Sequence, residues 1–313
     1  MIGLKIKRWI TVGIITLLFL LMSGTSYTGE ERVVIGVVFS SDNPYYEEIH
    51  RSFINTLKER GDIEKINFLV QRPNPDPVAW SNAIRKLIVY DASILITYGA
   101  GATEAARYEV DRQKVFYAGV LSPDDTLKKP PYKGGVGSTV PISSILRYLK
   151  KTGDVKRVGV MFYPEERTSI KEAKELKAYA ERMKLSAVLL PVHSRMEIGQ
   201  KIRLFDIDAL YITGSSFLEK NIVYVDDLLK KKDIPIVTSQ GGLEKRAVIS
   251  LYTDPEIVGR MLASIISEPD SPGSADRFVS ARKTRLVFNK SLCLKHNLEI
   301  PLELLTGADE VIR

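Results

Sequence analysis

Short, β-rich apolar runs alternate with longer amphipathic stretches from Val33 onward, the pattern a parallel sheet produces when helices cover both of its faces. Compact runs without internal proline predict strands over residues 33–39, 66–71, 93–97 and 115–120. Between the first two, residues 44–60 bring Ile49, Phe53, Ile54 and Leu57 onto one helical face. Asp42 or Asn43 ahead of Pro44 supplies the N-cap, and Gly61 the stop. Residues 76–89 and 101–110 predict two further helices. The run Gly134-Gly135-Val136-Gly137 reads as a connection between lobes, and beyond it the alternation restarts. A helix is expected over 141–151, and strands over 157–162, 187–191, 208–212 and 234–238. A helix over 168–184 places Ala173, Leu176, Ala180 and Met183 on one buried stripe.

The order of elements thus repeats, although the two halves are not visibly alike in sequence. The predicted architecture is α/β: two Rossmann-like lobes, each with a parallel sheet. Ligands of such sheets bind beyond the C-terminal ends of the strands, which makes the cleft between the lobes the expected site. The loops after the predicted strands are rich in hydroxyls, glycines and tyrosines. Such a lining hydrogen-bonds a small polar solute and offers aromatic contact area at low entropic cost.

Composition supports this reading and excludes others. The chain has 313 residues, 44% of them hydrophobic and 27% charged, which describes a globular protein longer than the roughly 250–300 residues at which single cores stop growing. Cys293 is the only cysteine, so no disulfide forms within the chain, and His50, His193 and His296 are scattered. No metal or other cofactor is expected. Lys5, Lys7 and Arg8 precede an apolar run over 9–22 and then Ser23-Gly24-Thr25-Ser26, the layout of a secretory signal. The apolar run is shorter than the ~20 residues of a spanning helix. Cleavage is expected between Gly24 and Ser26, with an uncleaved anchor as the alternative. The net charge of +7, less the three basic residues of that segment, leaves +4, too mild and too dispersed to point to nucleic acid.

No constellation for catalysis is visible. Gly99-Ala100-Gly101 opens a helix after a strand, but Glu104 stands where a dinucleotide fingerprint needs its third glycine. Gly214-Ser215-Ser216 lacks the second glycine of a nucleophile elbow. Glu165, Glu166 and Arg167 read as solvated helix-start charges, Arg167 being also a candidate partner for a ligand carboxylate. His50 and His193 read as surface or helix-end residues, and Asn289 as a helix cap rather than a glycosylation acceptor.

The C-terminal run LVFNKSLCLKHNLEIPLELLTGADEVI resembles the closing signature of one family of ABC-transporter substrate-binding proteins, and Phe162-Tyr163-Pro164-Glu165 and Ile234-Pro235-Ile236-Val237 extend the likeness more loosely over 33–313. The resemblance implies the type I periplasmic-binding fold, with crossings between lobes near 138–141, 252–254 and 267–284. The first lobe is then 31–139 plus 254–267, and the second 140–253 plus 268–313. It also implies an exported, monomeric binder of a small molecule, periplasmic or tethered by its N-terminal segment, that serves an ABC permease and its ATPase on other chains. A periplasmic sensory module signalling through a membrane partner is the alternative. Relatives commonly carry Asp-Asn where this chain has Ser215-Ser216 and an aspartate where it has Gln240; an aspartate would suit a ligand ammonium group, and its absence leaves a neutral or carboxylate-bearing solute as open as an amino acid. The expected contacts are Ser41, Asn43, Tyr45, Tyr98, Gly101, Thr103 and Ser138 from the first lobe. Tyr163, Thr168, Ser215 and Gln240 are expected from the second, with Tyr252 at a crossing.

Overall fold

A computed structural model describes residues 32–267 and 277–313; the export segment read at 1–26 and part of the crossing read at 267–284 lie outside them. The first sheet comprises β1 (Val33–Phe39), β2 (Ile66–Gln71), β3 (Ile94–Tyr98), β4 (Lys114–Leu121), β5 (Tyr132–Ser138) and β11 (Phe278–Ala281), in the order β11-β5-β4-β3-β1-β2. The second comprises β6 (Arg157–Phe162), β7 (Ser186–Pro191), β8 (Ala209–Ile212), β9 (Ile236–Thr238), β10 (Ile249–Thr253), β12 (Thr284–Asn289) and β13 (Glu310–Ile312), in the order β13-β12-β10-β9-β8-β6-β7. Every pairing is parallel except β10 with β12.

Helices sandwich each sheet. Against the first pack α1 (Pro44–Glu59), α2 (Pro77–Val89), α3 (Ala100–Glu109) and α8 (Pro255–Ser267). Ile49, Phe53 and Leu262 of α1 and α8 meet Val37 on one face, while Ile84, Leu87 and Ala102 of α2 and α3 meet Val38 on the other. Val37 and Val38 are neighbours in β1 and point to opposite faces, which is why a strand covered on both sides reads as a continuous apolar run. Against the second sheet pack α4 (Ile142–Thr152) and α5 (Arg167–Arg182) on one face, α6 (Arg195–Leu204) and α7 (Ser216–Lys230) on the other. The short helices α9 (Lys290–Lys295) and α10 (Leu302–Thr306) complete the second lobe. Asn289 caps α9 by accepting from the Leu292 N–H at 3.1 Å.

Two expectations are corrected. The glycine run read as a connection is strand β5. A Cβ at Gly135 would lie 2.2 Å from the Tyr117 ring and one at Gly137 2.5 Å from Pro123, so side chains of neighbouring segments fill the space that β5 leaves open. Phe278–Ala281, assigned with 268–313 to the second lobe, pairs with β5 of the first sheet from Gly135 to Ser138. There Phe278 packs beside Tyr117, with ring centroids 6.4 Å apart.

The chain passes between sheets after Ser138, after Thr253 and after Ala281. The last two passages are tied together. The Asp254 N–H donates to the Lys283 carbonyl at 2.8 Å, and the Asp254 carboxylate meets Lys283 Nζ at 3.0 Å and the Arg285 guanidinium at 3.2 Å. Among the described residues no helix is long and apolar enough to cross a membrane.

Candidate functional site

Strand order reverses between β1 and β3 in the first sheet and between β6 and β8 in the second, the switch points where loops leave a sheet in opposite directions and open a crevice. These two crevices meet in a narrow cavity lined by Tyr45, Tyr46 and Ser138 from the first lobe, by Glu166, Thr168, Ser215 and Gln240 from the second, and by Thr253 at a crossing.

Glu166 occupies the N-cap position of α5 but its side chain makes no cap hydrogen bond there. Its carboxylate sits instead on the N-terminus of α7, accepting from the Ser216 N–H at 3.1 Å, the Phe217 N–H at 3.4 Å and the Ser215 hydroxyl at 3.3 Å. The residue is only 4% exposed. Burial and then the nearby Glu219 carboxylate push its pKa up to about 8, against the pull of those donors. Among the described residues, no lysine, arginine or histidine lines the cavity. Two hydroxyls that line it, those of Thr168 and Thr253, are buried without a hydrogen-bond partner among the described residues. Beneath the floor, Glu172 accepts from the Gly214 N–H at 2.8 Å and from the Tyr211 and Ser239 hydroxyls. It thereby fixes Gly214 and Ser239, which both line the cavity, and burial raises its pKa to about 7.

Contacts between the lobes hold the cavity closed on one side. Asn43 Oδ1 caps α1 by accepting from the Tyr45 N–H at 2.8 Å, while Nδ2 reaches across to donate to Glu219 Oε1 at 2.6 Å and to the Gly241 carbonyl at 3.1 Å. The Ser41 hydroxyl donates to the other Glu219 oxygen. Burial raises the Glu219 pKa to about 7, with both donors pulling it down. The facing loop needs glycine at two positions. A Cβ at Gly241 would lie 2.5 Å from the Tyr45 ring, and Gly242 has φ +86° with its backbone against Asn43.

Residues 34–312 match the family model described as ABC transporter substrate binding protein. The chain belongs to that family. Among solved structures, the ABC domain in complex with L-Trp from Streptococcus pneumonia is 20% identical with a TM-score of 0.81, covering 90% of this chain and 100% of that one. A conserved domain protein from Vibrio cholerae is 16% identical with a TM-score of 0.80, covering 89% of this chain and 99% of that one. A ligand-free, open substrate binding protein with adhesive properties from Clostridium difficile is 18% identical with a TM-score of 0.63, covering 90% and 99%. No curated protein matches. These likenesses carry the type I periplasmic-binding fold.

In this substrate-binding protein the residues singled out from sequence divide into groups. Tyr45, Ser138, Thr168, Ser215 and Gln240 line the cavity. Ser41 and Asn43 bridge the lobes instead. Tyr98 and Thr103 lie inside the first lobe, where the Tyr98 hydroxyl meets His50 Nδ1 at 3.1 Å and the Thr103 hydroxyl donates to the Gly99 carbonyl at 2.6 Å. Gly101, under the Trp80 ring, and Tyr163, stacked on Phe217 at 4.5 Å, line an adjoining chamber that shares Glu166 with the cavity. Tyr252 packs edge-on against Tyr45, with ring centroids 5.7 Å apart.

Glu166 and Thr253 were missed as cavity residues, and Glu166 is buried rather than solvated. Arg167 is exposed and does not line the cavity. His50 is half-buried in mid-helix: it packs among Phe39, Phe68 and Tyr98, and burial holds its pKa down to about 4. Thr253 carried a usable signal, since it ends an apolar run just before Asp254-Pro255. Glu166 carried none, because the helix it caps begins fifty residues on, at Ser216.

Proposed function

We propose that the protein captures a small polar solute, of the amino-acid or small-carboxylate class, between its lobes outside the cytoplasm and delivers it to a membrane permease with its ATPase. The observation that carries this reading is the pair of buried, unpartnered hydroxyls, Thr168 and Thr253, on one inter-lobe cavity. An unsatisfied buried hydroxyl costs about 1–3 kcal/mol, and a polar ligand that hydrogen-bonds it removes that cost. The proposed contacts are Tyr45, Ser138, Thr168, Ser215 and Gln240. A ligand touching both lobes stabilises only their closed arrangement, so binding selects closure. The fold's likeness to a structure that holds L-Trp supports a solute of amino-acid size.

The test is thermal unfolding of protein freed of ligand by unfolding and refolding, titrated with amino acids, carboxylates, nucleosides and small peptides. A ligand at 100-fold its dissociation constant adds about 2.7 kcal/mol, roughly 5–10 °C for a protein of this size. Saturable shifts for one chemical class are expected, and flat curves for all of them would refute solute capture.

A further inference from the structure

We propose that the contact between the lobes is a proton switch: Glu219 takes up a proton as Ser41 and Asn43 close on it and gives it back as the lobes part, so that acid favours the closed form. The inference concerns the motion of the lobes and needs no solute. It starts from where the carboxyl group sits. Glu219 belongs to α7 of the second lobe, yet both of its oxygens are engaged by the first, Oε1 by Asn43 Nδ2 at 2.6 Å and Oε2 by the Ser41 hydroxyl. All three residues are buried. Separation of the lobes takes both donors away and admits water to the carboxyl group. The hydrogen bonds of Glu166, by contrast, run to Ser215, Ser216 and Phe217 within the second lobe and survive opening.

Among the described residues no cation holds the charge that Glu219 carries when ionised. The titratable groups that share its field are Tyr46 on α1 and Glu166 ahead of α5, neither of them positive. Asp42 between the two donors, Lys220 beside Glu219, and Lys245 beyond the glycine loop are exposed, where water and salt screen them. Arg195 on α6 is exposed as well and lies over the Tyr224 ring at 4.3 Å, while Glu244 accepts from the Gly242 N–H at 2.7 Å. A buried carboxylate held only by neutral donors is costly. Protonation removes the charge and keeps the contacts. The Ser41 hydroxyl, which donates to a carboxylate, accepts from a carboxylic acid, and Oε1 accepts from Asn43 in either state.

The sign and size follow from proton balance. In the closed form burial outweighs both donors and raises the Glu219 pKa to about 7; in the open form the group returns toward the ordinary glutamate value of about 4.3. Closing therefore takes a proton from solvent between about pH 4.3 and 7, and across that window the ratio of closed to open molecules falls up to about tenfold for each unit that pH rises. From pH 5 to pH 8 the fall is about a hundredfold.

The experiment is single-molecule energy transfer between dyes on the two lobes of the protein, freed of ligand, over about pH 5 to 8 at constant ionic strength. Val89→Cys on α2 and Leu204→Cys on α6 place the dyes at exposed positions, and the native Cys293 is buried. The expected result is a closed-to-open ratio that falls about a hundredfold over that range. Glu219→Gln, neutral and of the same shape, is expected to hold its ratio within about threefold throughout. Asn43→Asp keeps the cap of α1 but sets two carboxyl groups against each other, so it is expected to open at high pH and to close again in acid, a rescue that lost packing would not give. If Glu219→Gln does not fold, Asn43→Asp and the unaltered protein still decide. A ratio in the unaltered protein that stays level or rises with pH would overturn the inference. So would a Glu219→Gln protein that follows the unaltered one, or an Asn43→Asp protein that stays open in acid. None of these outcomes touches solute capture, since no solute is present.

Discussion

Asn43 performs two tasks with opposite ends of one amide, and a single substitution can separate them. Asn43→Ser retains a good N-cap for α1 but is too short to reach Glu219 and Gly241. The closed form then loses a hydrogen bond to a carboxylate, at 2.6 Å, and one to a carbonyl, at 3.1 Å. The first contributes about 1.5–3 kcal/mol and the second about 0.5–1.5 kcal/mol. Once the lobes part, water solvates Glu219 and Gly241, so the loss falls on the closed arrangement. Taking about 3 kcal/mol, the ratio of closed to open molecules drops roughly a hundredfold. Small-angle X-ray scattering on ligand-free protein reads this directly as a larger radius of gyration. Intrinsic first-lobe stability should change little because the cap survives. A scattering profile identical to that of the unaltered protein would refute the assignment of Asn43 and Glu219 as the contact that favours closure.

Stability of the ligand-free protein should fall as pH rises from about 6.5 to 8. Glu166, Glu172 and Glu219 have native pKa values of about 8, 7 and 7, above the ordinary carboxylate value, so the native state holds protons that the unfolded chain releases, and the stability they bring in acid is lost as pH rises. His50, held down to about 4, acts oppositely only below about pH 6.5, which leaves the upper window clean. A melting temperature that stays level or rises there would contradict the buried carboxylates. Gly135→Ala drives a Cβ to within 2.2 Å of the Tyr117 ring and should cost about 1–3 kcal/mol, read as a lower urea midpoint with an unchanged slope. Thr253→Val deletes an unpartnered hydroxyl and should raise ligand-free stability by about 1 kcal/mol. Lower stability in that variant would mean the hydroxyl already has a partner.

What the sequence made legible was set by how local each cause is. The strands and helices of the first half follow from periodicity and caps: Asn43, Gly61, and the buried face of Ile49, Phe53 and Leu57 all act within one element. Strand β5 escaped because its glycines answer to Tyr117 and Pro123, whose volume no local pattern records. Five of the twelve expected contacts line the cavity, since loops after parallel strands converge there whatever their side chains. Tyr98 and Thr103 show the limit of that rule. A residue at a strand end still obeys the two-residue alternation of side chains, and the Tyr98 ring falls on the side of His50 and Phe39. The charge of the site was the least legible feature, because Glu166 is buried by residues far along the chain.

Neither lobe is a continuous stretch of chain, and that governs when each can exist. The first sheet lacks an edge until Phe278–Ala281 arrives, and the second lacks two strands until Thr284–Asn289 and Glu310–Ile312 follow. A ribosome must therefore finish almost the whole polypeptide before either sheet can close. Pairings between such distant segments also form slowly. Trimming only the last four residues would remove β13 and deprive the second sheet of its final strand.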